Sequence, residues 1–283
     1  MIEKIAIDTT KITHFRLYSD LHIEFANFEL SKLETDKTSL LILAGDIHVG
    51  VGARYFLAEV AERFAHVIYV FGNHEHYNGD VMTTESNLQE AISNPFFYDG
   101  LKDNVTLVSN KAKVIEVGGL RIVAATLWTD CNGNDPMTML AIGDYLNDYH
   151  IVKKNGSRMI PSDTYDFYQE AISDFREIMS EPFDGKTIVV THHAPCDEAI
   201  HDRYRGFRDA HLLAGGYRTR LNDFIAEFNP DYWVFGHTHE GCDIMIHNTR
   251  VMNNCRGYPQ RGSSFSNPVF ENSAFKDDFV ISL

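Results

Sequence analysis

The stretch Tyr232-Trp233-Val234-Phe235-Gly236-His237-Thr238-His239 reads in two halves. Its first four residues are a continuous apolar run, the pattern of a strand buried on both faces. Gly236 then stops the strand, and two imidazoles follow at alternate positions. The same arrangement recurs upstream. Phe15–Tyr18 predicts a strand that ends at Ser19-Asp20-Leu21-His22, and Leu40–Ala44 predicts one that ends at Gly45-Asp46. Val67–Phe71 runs into Gly72-Asn73-His74-Glu75, and Lys186–Val190 into Thr191-His192-His193. Each of these apolar runs delivers a metal-capable side chain within a few residues of its end. In open α/β sheets, ligands collect at the carboxyl ends of strands, where loops converge while the sheet holds them fixed.

Between these runs the apolar period changes to that of a helix. Arg54–Phe64 carries Leu57, Val60, Ala61 and Phe64 on one face, and Thr83–Ile92 reads the same way. Asp163–Met179 aligns Tyr168, Ile172, Phe175 and Met179 on one stripe. Tyr217–Phe228 predicts a helix that stops before Asn229-Pro230. Lys113–Ala125 alternates around Gly118-Gly119, which predicts a hairpin with a type I′ turn and the start of a layer of antiparallel strands. Asp243–Met252 predicts a second hairpin, turning at Asn248-Thr249. Alternating strands and helices make this an α/β sandwich. Thr129–Pro161 contains Asn132-Gly133-Asn134-Asp135-Pro136 and reads as a long loop, a lid or binding-loop insertion around 129–161. No Pro/Gly/Ser-rich linker divides the chain, so residues 1–283 read as a single domain.

Composition narrows the functional classes. The chain has 283 residues, 44% hydrophobic and 23% charged, ample material for a core and unlike a disordered chain. Its 25 basic and 40 acidic residues leave a formal charge of −15, which argues against non-specific nucleic-acid binding. The longest apolar run, Leu40–Ala44, is far short of the roughly 20 residues of a membrane span. Met1–Thr13 has no apolar signal region. Cys131, Cys196, Cys242 and Cys255 lack C-x-x-C spacing and read as free thiols in a reducing cytoplasm. The unusual figure is 14 histidines.

The strand ends hold carboxylates, imidazoles and one amide. Such borderline-hard N/O donors suit two divalent or trivalent ions, Mn, Fe, Zn or Co, with Mn the first choice in vitro. More than four ligands are too many for one metal and suit two. A pair about 3.5–4 Å apart is the usual device for in-line attack at phosphorus. In their order, D-x-H, G-D, G-N-H-E, H and G-H-x-H resemble the calcineurin-like metallophosphoesterase superfamily, from Asp20 to at least His239. The resemblance implies a four-layer α/β/β/α sandwich of two mixed β-sheets. It implies that one metal takes Asp20, His22 and His239, that the second takes Asn73, His192 and His237, and that Asp46 bridges them. It further implies that a metal-bridging hydroxide attacks phosphorus, with the catalytic His74 protonating the leaving oxygen or steadying the transition state. His74 directly follows a ligand, and an unperturbed pKa of about 6.5 suits acid catalysis.

Two departures select a branch. Protein phosphatases of the superfamily carry G-D-x-x-D-R-G, but here Gly45-Asp46 is followed by Ile47-His48-Val49-Gly50, without the second acid or the arginine. Leu127-Trp128-Thr129-Asp130, Asn147-Asp148-Tyr149 and Asn254-Cys255-Arg256-Gly257-Tyr258 are similar to stretches in a group of bacterial and phage metallophosphoesterases, with Cys255 where proline is usual. In this reading Arg256 reaches a substrate phosphate or makes a structural ion pair, Asp148 orients a histidine or fixes its loop, and His193 serves beside the ligands or on the substrate. Tyr149 and His150 line the pocket or pack and fix their loop, while His48, Glu75 and His76 stand behind the ligands or are structural. The expected partner is a small phosphomonoester or phosphodiester, nucleotide-like, with no membrane; the oligomeric state is left open. A phosphoprotein phosphatase and a non-catalytic scaffold that kept the fold are the alternatives. Complete ligand positions weigh against the scaffold.

Overall fold

The computed structural model describes residues 2–7, 11–94, 103–200, 206, 209–260 and 268–283. The strands, in chain order, are β1 Glu3–Ile7, β2 His14–Tyr18, β3 Ser39–Ala44, β4 His66–Val70, β5 Val105–Val108, β6 Lys113–Val117 and β7 Leu120–Ala124. They continue with β8 Lys153–Lys154, β9 Ser157–Arg158, β10 Lys186–Val190, β11 Tyr232–Phe235, β12 Asp243–Ile246, β13 Thr249–Asn253 and β14 Ile281–Ser282. The α-helices are α1 Arg54–Ala61, α2 Thr84–Ser93, α3 Cys131–Asn134, α4 Pro136–Tyr145, α5 Asp148–Ile151, α6 Pro161–Ser180, α7 Ala210–Leu213 and α8 Asn222–Phe228.

Two mixed sheets result. One has seven strands in the order β1-β6-β7-β10-β11-β13-β12, and the other five in the order β14-β2-β3-β4-β5. In the smaller sheet β2, β3, β4 and β5 are mutually parallel, and β14 closes one edge antiparallel to β2. Period-two alternation explains how the layers stack. Leu40, Ile42 and Ala44 of β3 face inward and meet Ile122, Ala124, Val190 and Val234 of the other sheet. Leu41 and Leu43 point the opposite way, onto Phe56, Leu57 and Val60 of α1 and Leu88 and Ile92 of α2. On the far side, Val123, Val189, Trp233 and Phe235 pack against Phe167 and Phe175 of α6 and Phe224 of α8. Three apolar interfaces separate four layers, the α/β/β/α order expected.

The differences have local causes. The hairpin at Lys113–Ala125 forms as expected, with Gly118 and Gly119 both at positive φ, 55° and 86°, as a type I′ turn requires. The second hairpin turns one residue earlier than expected, with His247 and Asn248 between its strands. The expected helix Tyr217–Phe228 begins only at Asn222. The expected loop over 129–161 is instead built from α3, α4, α5 and the β8–β9 ribbon. Pro136 does not break α4 but opens it, with the Asp135 carboxylate accepting the Thr138 N–H as an N-cap.

Candidate metal centre

The carboxyl ends of β2, β3, β4, β10 and β11 converge, and their loops bring Asp20, His22, Asp46, Asn73, His192, His237 and His239 together. All are nearly or fully buried except His237, which is half-buried. Asp20, His22, Asp46, His237 and His239 have φ of 51°, 43°, 56°, 69° and 51°. Non-glycine residues pay for that left-handed conformation, and such strain gathers where function dictates where side chains point.

Ligand-capable atoms of Asp20, His22, Asp46 and His239 form one group, and those of Asp46, His192 and His237 a second, with atoms inside each group within 4.8 Å of one another. Asp46 belongs to both. Its Oδ2 lies 3.9 Å from His22 Nε2 and its Oδ1 3.4 Å from His192 Nε2. The Asn73 Oδ1 sits 3.0 Å from His192 Nε2 and joins the second group. Within the groups, His22 Nε2 and His239 Nε2 are 3.0 Å apart, and His192 Nε2 and His237 Nδ1 are 3.1 Å apart.

The outward nitrogens of His22, His239 and His192 are anchored, which fixes their inward ones. Glu24 Oε1 is 3.2 Å from His22 Nδ1, Glu271 Oε2 is 2.6 Å from His239 Nδ1, and the Ala44 carbonyl is 2.9 Å from His192 Nδ1. Carboxylate or carbonyl partners of this kind set the tautomer of a metal-ligating histidine. Asp148 Oδ1 accepts from Asn73 Nδ2 at 2.8 Å and from the Tyr77 hydroxyl at 2.9 Å, leaving the Asn73 oxygen to face the group. Glu75 accepts the backbone N–H of Asp46, Ile47 and Gly72 and so staples the β3 and β4 loops together.

Burial would raise the Asp20 and Asp46 carboxyls, but neighbouring imidazoles outweigh it and hold both below the usual carboxylate range. Burial would likewise lower the imidazoles of His192 and His239; Asp46 lifts His192 to about 9, and hydrogen bonds with Asp20 and Glu271 lift His239 to about 10. His237 is pushed down to about 3 by burial and by His192. No lysine or arginine is among the described residues lining the cleft above. A proton can serve only one pair of these inward atoms, whereas a divalent cation serves a whole group and displaces the proton. The donor set therefore fits a pair of cations.

His192, not His193, faces the groups. His193 turns to Trp128, 5.2 Å between ring centroids, and packs on His237 at 4.4 Å, so it backs that ring and is not among the residues lining the cleft. Three expectations need correction. The Arg256 guanidinium is buried and donates to the carbonyls of Leu21, Ala26 and Asn27, holding the loop that carries His22; it is not in the cleft lining. Asp148 orients an amide, not a histidine. Tyr149 is buried with its hydroxyl on Thr164, and His150 bonds the Asp144 carbonyl, so neither lines the cleft. Cys255, at the position where proline was expected, is buried and accepts the Ser19 hydroxyl at 3.2 Å.

His74 stands beside the groups. Burial would lower its imidazole, but Asp46 and Glu24 raise it on balance. Its backbone N–H donates to Asp46 Oδ1 at 2.9 Å. Glu24, Tyr77, Tyr258 and Glu271 are the residues that sequence reasoning missed. Glu24, two residues after His22, was the one within reach, because a carboxylate that close to a candidate ligand is a ready partner for it. A cleft of about 480 Å³ opens above the groups. Tyr145, Leu146 and Asn147 at the end of α4 line it together with Leu213, Ala214 and Tyr217.

Two facing sheets with a cation-ready cradle at their carboxyl ends are the architecture of a metallohydrolase. The sequence model of the calcineurin-like phosphoesterase family matches residues 13–241, and the chain belongs to that family, hydrolases acting on phosphoesters. The crystal structure of a phosphopantetheinyl hydrolase from Mycobacterium tuberculosis is similar, with a TM-score of 0.60 and 16% identity over 95% of each chain. An uncharacterized protein of Acanthamoeba polyphaga mimivirus is 23% identical over 281 residues, covering 89% of this chain and 93% of its own. No helix among the described residues is long and apolar enough to cross a membrane.

Proposed function

We propose that this chain hydrolyses a small phosphoric monoester or diester, nucleotide-like in size, in the cytoplasm. Asp20, His22, Asp46 and His239 would hold one cation, and Asp46, Asn73, His192 and His237 the other, with Mn the first ion to try. The observation that carries this reading is Asp46, whose two oxygens face different groups at 3.9 and 3.4 Å. A bound pair supplies positive charge against the phosphoryl oxygens and a nucleophile from water near neutral pH. The chain's own residues do the rest. Glu24, Glu271 and Asp148 keep His22, His239 and Asn73 aimed inward. His74, held against Asp46, carries the proton for the departing oxygen. The walled cleft favours a small molecule over a phosphoprotein surface.

The test is steady-state hydrolysis of paired aryl monoester and diester substrates by metal-stripped protein reloaded with Mn²⁺. Turnover of either supports the reading, and the faster of the two assigns phosphatase or phosphodiesterase activity. Two bound metals with no turnover on a panel that extends to nucleotides would favour the scaffold instead.

A further inference from the structure

We propose that the group meeting the leaving oxygen is the Tyr258 hydroxyl, with His74 acting behind it. The inference rests on the phosphoesterase reading above. Tyr258 Oη lies 2.7 Å from His74 Nε2, and Glu24 Oε1 lies 3.3 Å from His74 Nδ1. Both ring nitrogens of His74 are thus engaged. Its ring is also held in place, with Tyr77 against one face at 4.0 Å between centroids and His22 edge-on at 4.5 Å.

Tyr258 is fixed equally well. Its ring lies 4.3 Å from that of His22 and 4.5 Å from that of His239, and its backbone N–H donates to Glu271 Oε2 at 3.0 Å. The phenol ring therefore packs on both histidines while its hydroxyl meets His74, and both Tyr258 and His74 line the cleft. Glu24, His74 and Tyr258 form a chain of carboxylate, imidazole and hydroxyl, the order in which a carboxylate orients an imidazole that acts on a hydroxyl.

The protons balance as follows. His74 donates Nδ1–H to Glu24 and Nε2–H to the Tyr258 oxygen, which turns the phenolic hydrogen into the cleft. As the P–O bond to the leaving group breaks, its electron pair stays on the leaving oxygen. That oxygen takes the phenolic proton, and the phenolic oxygen takes the proton from His74 Nε2. The alcohol departs, Tyr258 is again a neutral phenol, and His74 is a neutral imidazole. The attacking water gives up the proton that restores His74 for the next turnover.

The experiment is a leaving-group series within one ester class, from 4-nitrophenyl to simple alkyl esters, on Mn²⁺-loaded full-length protein. Wild type, Tyr258→Phe, His74→Asn and the double variant are compared, with metal content and melting temperature measured on each. The nitrophenolate needs no acid, so both single variants should lose about 10²–10⁴-fold more on alkyl esters than on that ester. Residues of one relay act as a unit, so the double variant should lose no more than His74→Asn alone. Tyr258→Phe should keep both metals, because its ring packing is intact. An equal loss on every leaving group, full alkyl activity in Tyr258→Phe, or loss of metal from that variant overturns the proposal. A wild type inert toward the whole series overturns the hydrolase reading and this inference with it, whereas an active wild type matched by Tyr258→Phe overturns this inference alone.

Discussion

A single methyl group at Gly72 should empty the centre while leaving the sandwich folded. Gly72 needs no left-handed backbone, so alanine can adopt its conformation and only space is at issue. A Cβ there would lie 2.2 Å from Asp46 Oδ1, 2.6 Å from His192 Cε1 and 2.7 Å from His192 Nε2. Comfortable heavy-atom contacts start near 3.5 Å, so the carboxylate or the imidazole must retreat by roughly 1 Å. A misplacement of that size costs about 10²-fold in rate. It strikes both groups at once, because Asp46 belongs to both. The overpacking itself should lower stability by about 1–3 kcal/mol. The assay is metal content after dialysis, kcat/KM on an aryl phosphoester and a thermal melt, each beside wild type. A Gly72→Ala protein that keeps two metals and activity within about threefold of wild type would show that this wall is not as close-packed as the structure has it.

Removing His74 and removing Asp46 should have different signatures: His74→Ala loses turnover with both metals still bound, whereas Asp46→Ala loses metal and activity together, as elemental analysis beside kinetics would reveal. Asp148→Ala frees the Asn73 amide to rotate, so affinity for one of two metals should fall about 10–100-fold in a chelator titration while the other holds; equal weakening of both would contradict the assigned role. Stability should also fall in acid because of His66, whose ring is buried beside Thr106 and whose pKa burial lowers to about 4. An unfolded histidine takes up its proton near pH 6.5, so between about 6.5 and 4 the unfolded state binds more protons and stability drops as pH falls. At pH 5 the loss from this group is about 2 kcal/mol, and His66→Gln should flatten that part of a urea-midpoint profile.

The sheets were legible wherever a strand is buried on both faces, because burial writes a continuous apolar run such as Leu40–Ala44. The peripheral strands were not. Glu3–Ile7 is largely exposed on the sheet edge and carries Glu3 and Lys4, and Ile281–Ser282 is too short to show a period. Asn132-Gly133-Asn134-Asp135-Pro136 looked like loop because the same residues that make turns also start helices; only the Asp135–Thr138 cap tells the two apart. The cradle residues were legible because each lies at the end of such a run. Glu24 was within reach through its spacing from His22, but Glu271 and Tyr258 were not, since their pairings with His239 and His74 span 32 and 184 residues and exist only once the chain has folded.

That separation also sets an order of events during synthesis. By His239 the ribosome has delivered every residue of the cradle. The carboxylate that steers His239 arrives 32 residues later, at Glu271. The outer edge of β2, made near the beginning, waits longer still for Ile281 and Ser282 to pair with Phe15 and His14. A nascent chain thus carries the ligands well before it can aim them, and metal captured early meets a loose His239 and an open sheet edge. A protease cut before Glu271 yields a protein that keeps all seven cradle residues and the partners of His22, His192 and Asn73, but leaves His239 without the carboxylate that aims it.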